Sequence, residues 1–212
     1  MYSVDAPASN TRSCKEIAEV LMFQKASSAI VDSFENFGIV NNENREIYLF
    51  GIQQILTLLL NAISMLVIGF LFHQIFQCIL YMALFIPLRS FAGGYHANSP
   101  QRCYVYSVAC VTIAMIIIKL DFLNELYYYC IAVVSGILIF MLAPVEDHNK
   151  PLDDLEVEHY RLRTRVILTI EGLFFACAMV LNWKNVVLCI TLAFLTLGLM
   201  LIAGKIKNRN IR

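Results

Sequence analysis

The feature that most constrains this chain is a series of apolar runs, each close to the length that a helix needs to cross a lipid bilayer. About 20 mostly apolar residues suffice, because the hydrocarbon core is about 30 Å thick and a helix rises about 1.5 Å per residue. Six runs approach this length: 47–72, 75–88, 103–120, 126–145, 166–183 and 186–203. The pattern predicts an all-α fold, a polytopic membrane helical bundle of about six transmembrane helices over residues 47–203.

Composition supports a bilayer as the solvent. Apolar residues make up 59% of the 212 residues and charged residues only 15%, with a mean hydropathy of +0.67, which is too apolar for a soluble protein of this size. Because the formal net charge is zero, we expect no nucleic-acid partner. The seven cysteines form no close CxxC pair, which predicts reduced thiols rather than a disulfide framework.

The segment before the first run has a different pattern. Residues 13–37 place apolar side chains at helical spacing among charged ones, which predicts an amphipathic helix at the membrane interface. Residues 1–10 lack the basic and apolar parts of a cleavable signal peptide, so we expect insertion to rely on the first spanning helix. No internal repeat or linker is visible, and we predict one membrane domain over residues 1–212.

The distribution of basic residues predicts the topology. Lysine and arginine near the ends of spans accumulate on the cytoplasmic side, and six alternating spans place all but two of the 16, Lys119 and Lys184, on one side. Both termini and the loops 89–102 and 146–165 are therefore predicted to be cytoplasmic. The run 75–88 is short and ends at a proline, so a bundle of four spans with two re-entrant pieces is an alternative.

Turn-forming and reactive residues are concentrated between the second and third runs, where residues 87–103 read PLRSFAGGYHANSPQRC. Gly93 and Gly94 permit backbone angles and close approaches that other residues forbid, so their amides could face a substrate carbonyl. Asparagine or serine followed by Pro100 is a helix-start signature. It predicts that the third spanning helix begins close to Ser99.

Cys103 then falls in or just after the first turn of that helix. The unpaired amides and the helix dipole favour an anion there, and Arg89 and Arg102 would favour a thiolate further. A loop that folds back can bring His96 within hydrogen-bond reach of the thiol, as in a nucleophilic cysteine–histidine pair. Each residue also has a structural interpretation, since such a cysteine is often a small hydrophobe, a loop histidine is often solvated, and Gly-Gly is often only a turn.

These residues together resemble the signature of the accessory gene regulator B family, the membrane peptidases of Gram-positive quorum sensing. The resemblance rests on Arg89, Ala92, Gly93, Gly94, Tyr95, His96 and Cys103, and on Ala143-Pro144-Val145 followed by Asn149-Lys150-Pro151-Leu152. It includes the family's interval from histidine to cysteine. Length, hydropathy and basic loops are also similar, so the resemblance covers roughly the whole chain from the amphipathic helix onward.

The resemblance implies a specific activity. Such proteins cut the C-terminal tail from a small precursor peptide and keep the shortened chain as a thioester, and an internal cysteine or serine then closes a thiolactone or lactone ring. Carried over, Cys103 is the nucleophile and His96 is the general base and acid, with no metal and no cofactor. We also expect Arg89 to orient the precursor or its carboxylates, and the amides near Gly93 and Gly94 to stabilise the oxyanion.

The expected partners are the lipid bilayer and a small precursor peptide with an amphipathic leader, and a homodimer is the expected oligomer. The helix at 13–37 could contact that leader or simply anchor the chain. The charged loop 146–165 could bind a charged part of the precursor or be merely solvated. Its His148 and His159 match no familiar ligand spacing, so no metal site is expected.

Two other classes of function fit some features. A small peptide transporter or exporter is supported by polar groups in the first run and by Glu171 in the fifth, although packing or capping also explains Glu171. A non-enzymatic assembly partner would use the Gly-Gly-Tyr-His segment only for binding. Both alternatives predict that Cys103 is dispensable, so its reactivity distinguishes them from the peptidase.

Overall fold

The structure is a computed structural model that describes residues 27–35, 37–38, 44–95, 100–121, 124–146 and 153–209. These ranges contain seven helices and no strand: α1 (27–35), α2 (Arg45–Leu71), α3 (Ile75–Ala92), α4 (Pro100–Leu120), α5 (Glu125–Leu142), α6 (Asp154–Val180) and α7 (Lys184–Arg209). The predicted all-α fold class, a polytopic membrane helical bundle, is confirmed.

Five described helices, α2, α3, α4, α5 and α7, are long and apolar enough to cross a membrane, where six were predicted. The exception is α6. It ends at Val180 rather than continuing to Trp183, and Arg163 and Arg165 precede its apolar part, so its uncharged stretch is short. The predicted end of the second span at residue 88 is also wrong, because α3 continues through Pro87 to Ala92 and reaches 18 residues.

The chain divides into two compact units, Met1–Leu60 and Asn61–Arg212, with the boundary inside α2. In the first unit, Arg45 at the start of α2 pairs with Asp32 at 2.6 Å and with Glu35 at 3.5 Å. Helix α1 lies within the predicted amphipathic helix 13–37, of which residues 13–26 and 36 are outside the described residues. The prediction of a single domain stays a prediction.

Helix α7 is the central helix of the second unit. Every residue from Val187 to Phe194 is buried, and α7 packs against α3, α4, α5 and α6. A helix that is apolar on all sides is suited to such a position, because it leaves no polar face that needs solvent. Its burial makes α7 the element against which the other helices of this unit are arranged.

The helices of the second unit run alternately up and down. Helices α3, α5 and α7 finish at one end, where Gly93 and Val145 pair and Asn208 reaches Glu146; we call this the glycine end. Helices α4 and α6 begin there. The opposite end, which we call the distal end, contains the turns at 72–74, 121 and 181–183.

Helix α6 therefore runs from one end of this unit to the other, although it is too charged to count as a span by composition. At the glycine end the ring of Tyr160 lies 6.0 Å from that of Phe91, and at the distal end α6 turns directly into α7. Gly93, Val145, Glu146 and the C-terminal end of α7 consequently share the glycine end. That this end is cytoplasmic stays a prediction.

Candidate active site

The site is built on a sharp turn at the end of α3. The N–H of Val145 donates to the carbonyl of Ala92 at 2.9 Å, and the N–H of Gly94 donates to the carbonyl of Val145 at 3.1 Å. Gly93 leaves the helix with φ 72° and ψ −139°, and a Cβ atom there would overlap the carbonyl oxygen of Val145. Position 93 thus requires glycine for both its backbone angles and its close approach.

The amides of the two glycines already have partners. The N–H of Gly93 donates to the carbonyl of Arg89 at 3.1 Å, and that of Gly94 donates to Val145. The expected oxyanion role of Gly93 and Gly94 stays a prediction, and it would require these amides to exchange a backbone acceptor for the substrate. In the structure both glycines shape the turn.

The side chain of Arg89 closes the same turn. It lies half-buried in the last turn of α3 and donates to the carbonyl of Gly93 and, from Nη2 at 2.5 Å, to the carbonyl of Tyr95. A planar guanidinium can hold two acceptors at once, which a single ammonium group does less well. The predicted contact of Arg89 with the precursor stays a prediction, and its hydrogen bonds to Gly93 and Tyr95 lie within the turn.

The backbone of Tyr95 is attached to α7. Its N–H donates to the carbonyl of Met200 at 2.9 Å. The approach is possible because residue 204 is glycine: a Cβ atom there would lie 2.8 Å from the carbonyl carbon of Gly94 and 2.8 Å from the nitrogen of Tyr95. Gly204 therefore lets two backbones pack directly against each other.

The ring of Tyr95 is held between two further side chains. The ammonium of Lys207 lies 5.2 Å from the ring centroid, and the ring of Tyr106 meets Tyr95 edge-on at 5.9 Å. Both arrangements are attractive, the first between the ammonium and the negative ring face, and the second between the positive edge of one ring and the negative face of the other. Tyr95 thus connects α7 with α4.

Cys103 is exposed in the first turn of α4, and its thiol is free. The helix begins at Pro100, as the predicted start close to Ser99 requires, although Ser99 itself is outside the described residues. His96 also lies outside the described residues. Its pairing with Cys103 stays a prediction.

The described residues on both sides of the undescribed loop nevertheless meet. Tyr95 immediately precedes His96. Tyr106 follows Cys103 by three residues, so Cys103 and Tyr106 lie on the same face of α4. The edge-on contact between Tyr95 and Tyr106 joins the chain before the histidine to the helix face near the cysteine.

The predicted loop 146–165 is wrong in its second half, because α6 begins at Asp154. Its described residues contribute at both borders. The side-chain amide of Asn208 donates to the carbonyl of Glu146 at 2.6 Å, next to the backbone bridge that Val145 forms with Gly93. Farther along, side chains of α6 and the end of α3 line an open groove: Phe91, Leu155, Glu156, His159, Tyr160 and Arg163. His148 lies outside the described residues, and within them no three histidine, cysteine or acidic side chains are arranged to hold a metal ion.

Glu171 is buried on α6, with 6% of its surface exposed. Its Oε2 atom has no hydrogen-bond partner among the described residues. Nothing described connects it to Cys103, so no chemical role is assigned to it.

Several residues of the site were missed by the sequence reasoning. Val145 was noted only as part of a family-like segment, whereas Met200, Gly204 and Lys207 were given no role. The one available signal was a glycine inside the apolar sequence of α7, which often marks a close backbone approach. The partner of that approach lies more than 100 residues away, and no local pattern identifies it.

This chain is similar to known proteins of one family. The family model for "Accessory gene regulator B" matches residues 27–202. An AgrB-like protein of Clostridium perfringens strain SM101 is 25% identical over 138 residues, which are 62% of this chain and 64% of that protein. The accessory gene regulator protein B of Staphylococcus carnosus is 26% identical over 130 residues, 59% of this chain and 65% of the relative.

An AgrB-like protein of Lactiplantibacillus plantarum is 23% identical over 156 residues, 73% of this chain and 78% of the relative. The chain spans just under two thirds of the length of the Clostridium relative. No solved structure matches. Because the family model covers most of the sequence, including the turn at Gly93, the first helical turn at Cys103 and the contacts made by Met200, this chain belongs to the accessory gene regulator B family.

Proposed function

We propose that this protein is a membrane cysteine endopeptidase that processes a small quorum-sensing precursor peptide. It cleaves the C-terminal tail of the precursor through an acyl-thioester on Cys103. It then promotes closure of the retained peptide to a thiolactone or lactone. Family membership supports the involvement in peptide processing, and the geometry around Cys103 supports the chemistry.

The observation that carries the proposal is the position of Cys103. Its side chain is exposed, and it lies in the first turn of α4, where backbone N–H groups without helical acceptors and the helix dipole stabilise an anion. The exposed cysteines Cys130 and Cys177 lie farther inside α5 and α6 and lack this setting. Of these three thiols, Cys103 is the one suited to nucleophilic attack.

The proposed partner of the thiol is His96. The contact between Tyr95 and Tyr106 brings the residue before the histidine to the helix face near Cys103. Only residues 97–99 separate His96 from the start of α4 at Pro100, which limits how far the histidine can lie from the first turn that contains Cys103. The imidazole then takes the thiol proton and holds it as an imidazolium next to the thiolate.

The first half of the reaction breaks the peptide bond before the tail. The thiolate sulfur of Cys103 attacks the carbonyl carbon, and the carbonyl electrons move to oxygen. As the tetrahedral intermediate collapses, the carbon–nitrogen bond breaks and the imidazolium of His96 gives its proton to the leaving nitrogen. The tail departs with a free amino terminus, and the rest of the precursor stays as a thioester.

The second half closes the ring. An internal thiol or hydroxyl of the bound peptide gives its proton to the neutral imidazole and attacks the thioester carbonyl. The bond to Cys103 breaks, so the thiolate and the imidazolium are regenerated. The thioester keeps the acyl group activated for ring closure, which the free acid produced by hydrolysis would not be.

The residues of the turn act around this pair. Arg89 fixes the turn through the carbonyls of Gly93 and Tyr95, and it remains a candidate for orienting precursor carboxylates. The amides of Gly93 and Gly94 remain candidates for oxyanion stabilisation if they exchange partners during the reaction. No step requires a metal or another cofactor.

The membrane bundle suits an amphipathic substrate. A precursor whose leader lies in the interface is confined close to the membrane surface, which concentrates its tail near the ends of the helices. We propose that the glycine end lies in the cytoplasm because of its basic residues and that both termini are also cytoplasmic, and we expect the protein to form a homodimer.

The proposal is tested by cleavage of a precursor peptide from the same source by the full chain in membranes. We expect Cys103→Ala to lower the rate at least about 1,000-fold and His96→Ala at least about 100-fold. Cys130→Ala and Cys177→Ala are matched controls, because they remove exposed thiols outside the site. Unchanged cleavage by Cys103→Ala would show that the proposed nucleophile is wrong. No cleavage by any form, the wild type included, would favour a transporter or an assembly partner.

A further inference from the structure

We infer that the last turns of α7, from Met200 to Asn208, position His96 by holding the backbone that leads into it. Gly204 and Lys207 are then positioning residues for the reaction. The inference rests on the proposed function, since it assigns these residues a role toward the histidine–cysteine pair.

The peptide groups on both sides of Tyr95 are held. Its N–H donates to the carbonyl of Met200 at 2.9 Å, and its carbonyl accepts from Nη2 of Arg89 at 2.5 Å. That carbonyl belongs to the peptide bond between Tyr95 and His96. The direction in which the chain enters His96 is consequently set by one acceptor on α7 and one donor on α3.

Gly204 sets the distance between α7 and this backbone. Its Cα faces the peptide group between Gly94 and Tyr95 so closely that a methyl group would lie 2.8 Å from two of its backbone atoms. Backbone atoms cannot rotate away as the tip of a side chain can. Any side chain at position 204 must push the turn and α7 apart.

Lys207 holds the side chain of Tyr95. Its ammonium lies 5.2 Å from the ring centroid of Tyr95, whose ring also meets Tyr106 at 5.9 Å. The order Lys207, Tyr95, Tyr106 connects the end of α7 to α4 three residues beyond Cys103. One set of contacts therefore holds Tyr95, the residue before the histidine, against the helix that contains Cys103.

Asn208 attaches the other half of the turn. Its side-chain amide donates to the carbonyl of Glu146 at 2.6 Å, and Glu146 follows Val145, the backbone partner of Gly94. Met200 and Asn208 are eight residues apart, about two helical turns. These two turns of α7 contact both segments of the bridge.

The plainer interpretation of the basic residues at the end of α7 is an anchor at the membrane surface. Lys205 provides the matched comparison, because it has the same charge two residues away and is exposed. An anchor depends on charge alone, so Lys205 and Lys207 would be equivalent. A positioning role depends on the ring of Tyr95 and makes them different.

The test measures alkylation of Cys103 by iodoacetamide in the full chain in membranes. The readout is the rate at mildly acidic pH divided by the rate at alkaline pH, a ratio that cancels changes in access. A thiolate paired with an imidazolium keeps reacting in acid, whereas an isolated thiol loses about tenfold per pH unit. We expect a ratio at least about fivefold lower in His96→Ala and Lys207→Gln than in the wild type, with Lys205→Gln unchanged.

Two further variants separate positioning from loss of the fold. Lys207→Arg should restore the wild-type ratio, because a guanidinium also packs on an aromatic ring. Gly204→Ala should lower the ratio as Lys207→Gln does, whereas Gly198→Ala should not, since a Cβ atom at position 198 meets its nearest atoms at an ordinary 3.9 Å. If Gly204→Ala does not fold, Lys207→Gln and its arginine rescue still decide.

The outcomes distinguish the inference from the proposed function. Equal ratios in the wild type and His96→Ala would overturn the histidine–cysteine pair itself, and the inference with it. A lowered ratio in His96→Ala with a wild-type ratio in Lys207→Gln would overturn only the positioning role. Equal losses in Lys205→Gln and Lys207→Gln would overturn it too, in favour of a charge effect.

Discussion

Both ends of the second unit contain residues with positive φ, but the two ends use different residue types. At the distal end, His73, Asp121 and Asn182 have φ of 57°, 40° and 55°. At the glycine end, Gly93 and Gly94 have φ of 72° and 110°. Positive φ thus occurs at residues with side chains at the distal end and at glycines at the glycine end.

The difference lies in what approaches the turn. The distal residues adopt the left-handed helical region, which other residues tolerate at some cost and which commonly ends helices. An exposed ion pair of 2.7 Å between Lys184 and Asp121 also joins the distal turns. At the glycine end, backbone contacts backbone at Gly93 and Val145, so a Cβ atom has no space. Among these positive-φ residues, Gly93 and Gly94 are the ones whose close backbone contacts require glycine.

The largest effect expected from this comparison is that of Gly93→Ala. The added methyl group overlaps the Val145 carbonyl at a positive φ, so the bridge must open and the turn must shift. We expect precursor cleavage to fall at least about tenfold, together with a lower Tm in micelles. Gly172→Ala is the matched control, because nothing lies within 4 Å of that Cβ position. There we expect unchanged cleavage and a stability gain of up to about 1 kcal/mol, as is usual for alanine in a helix.

A Gly93→Ala variant that cleaves the precursor at the wild-type rate would contradict the proposed importance of the turn. A loss of similar size in Gly172→Ala would show that glycine replacement is damaging in this chain regardless of position.

The next effect is that of Arg89→Lys, which keeps the charge and removes the fork. A lysine can donate to the carbonyl of Gly93 or of Tyr95 but holds both poorly, so we expect a loss of about 2 kcal/mol in stability and a lower cleavage rate. Thermal unfolding and a cleavage assay measure the two. If Arg89 serves only as a basic anchor at the membrane surface, Arg89→Lys will behave as the wild type.

The smallest effect is expected at the distal end. Asp121→Asn removes the ion pair with Lys184. The side chains of Asp121 and Lys184 are 40% and 43% exposed, and exposed ion pairs contribute little to stability. We expect the Tm to change by at most a few degrees, less at high salt, with cleavage unchanged. A strong loss of cleavage in Asp121→Asn would break the comparison, since the distal end would then also govern the reaction.

Local sequence signals predicted the fold correctly where they determine the structure without help from distant residues. Apolar runs of sufficient length predicted the helical bundle, and proline after serine predicted the start of α4 at Pro100. By composition five helices qualify as spans instead of six, because Arg163, Arg165 and Glu171 lie in the last 18 residues of α6. At the end of α3, Pro87 was treated as a stop, yet a membrane helix can continue past a proline when neighbouring groups satisfy the backbone.

The sequence predicted the reactive residues of the candidate site better than the residues that hold its turn in place. Gly93 and Gly94 were identified as permissive residues, but the reason for glycine at position 93 is a carbonyl 52 positions later in the chain. Position 204 requires glycine because the backbone of Gly94 and Tyr95, just after α3, lies against it. Such requirements arise only when distant segments pack together, and spacing along the sequence does not contain them.

The most direct test of the central claim is to look for the acyl-enzyme. The full chain in membranes is incubated with the precursor, quenched in acid, digested and analysed by mass spectrometry. We predict an adduct on Cys103 with the mass of the precursor without its tail, sensitive to hydroxylamine, absent in Cys103→Ala and at least about 100-fold slower to form in His96→Ala. Precursor cleaved at the wild-type rate by Cys103→Ala, with no adduct on Cys103 in the wild type, would contradict the account.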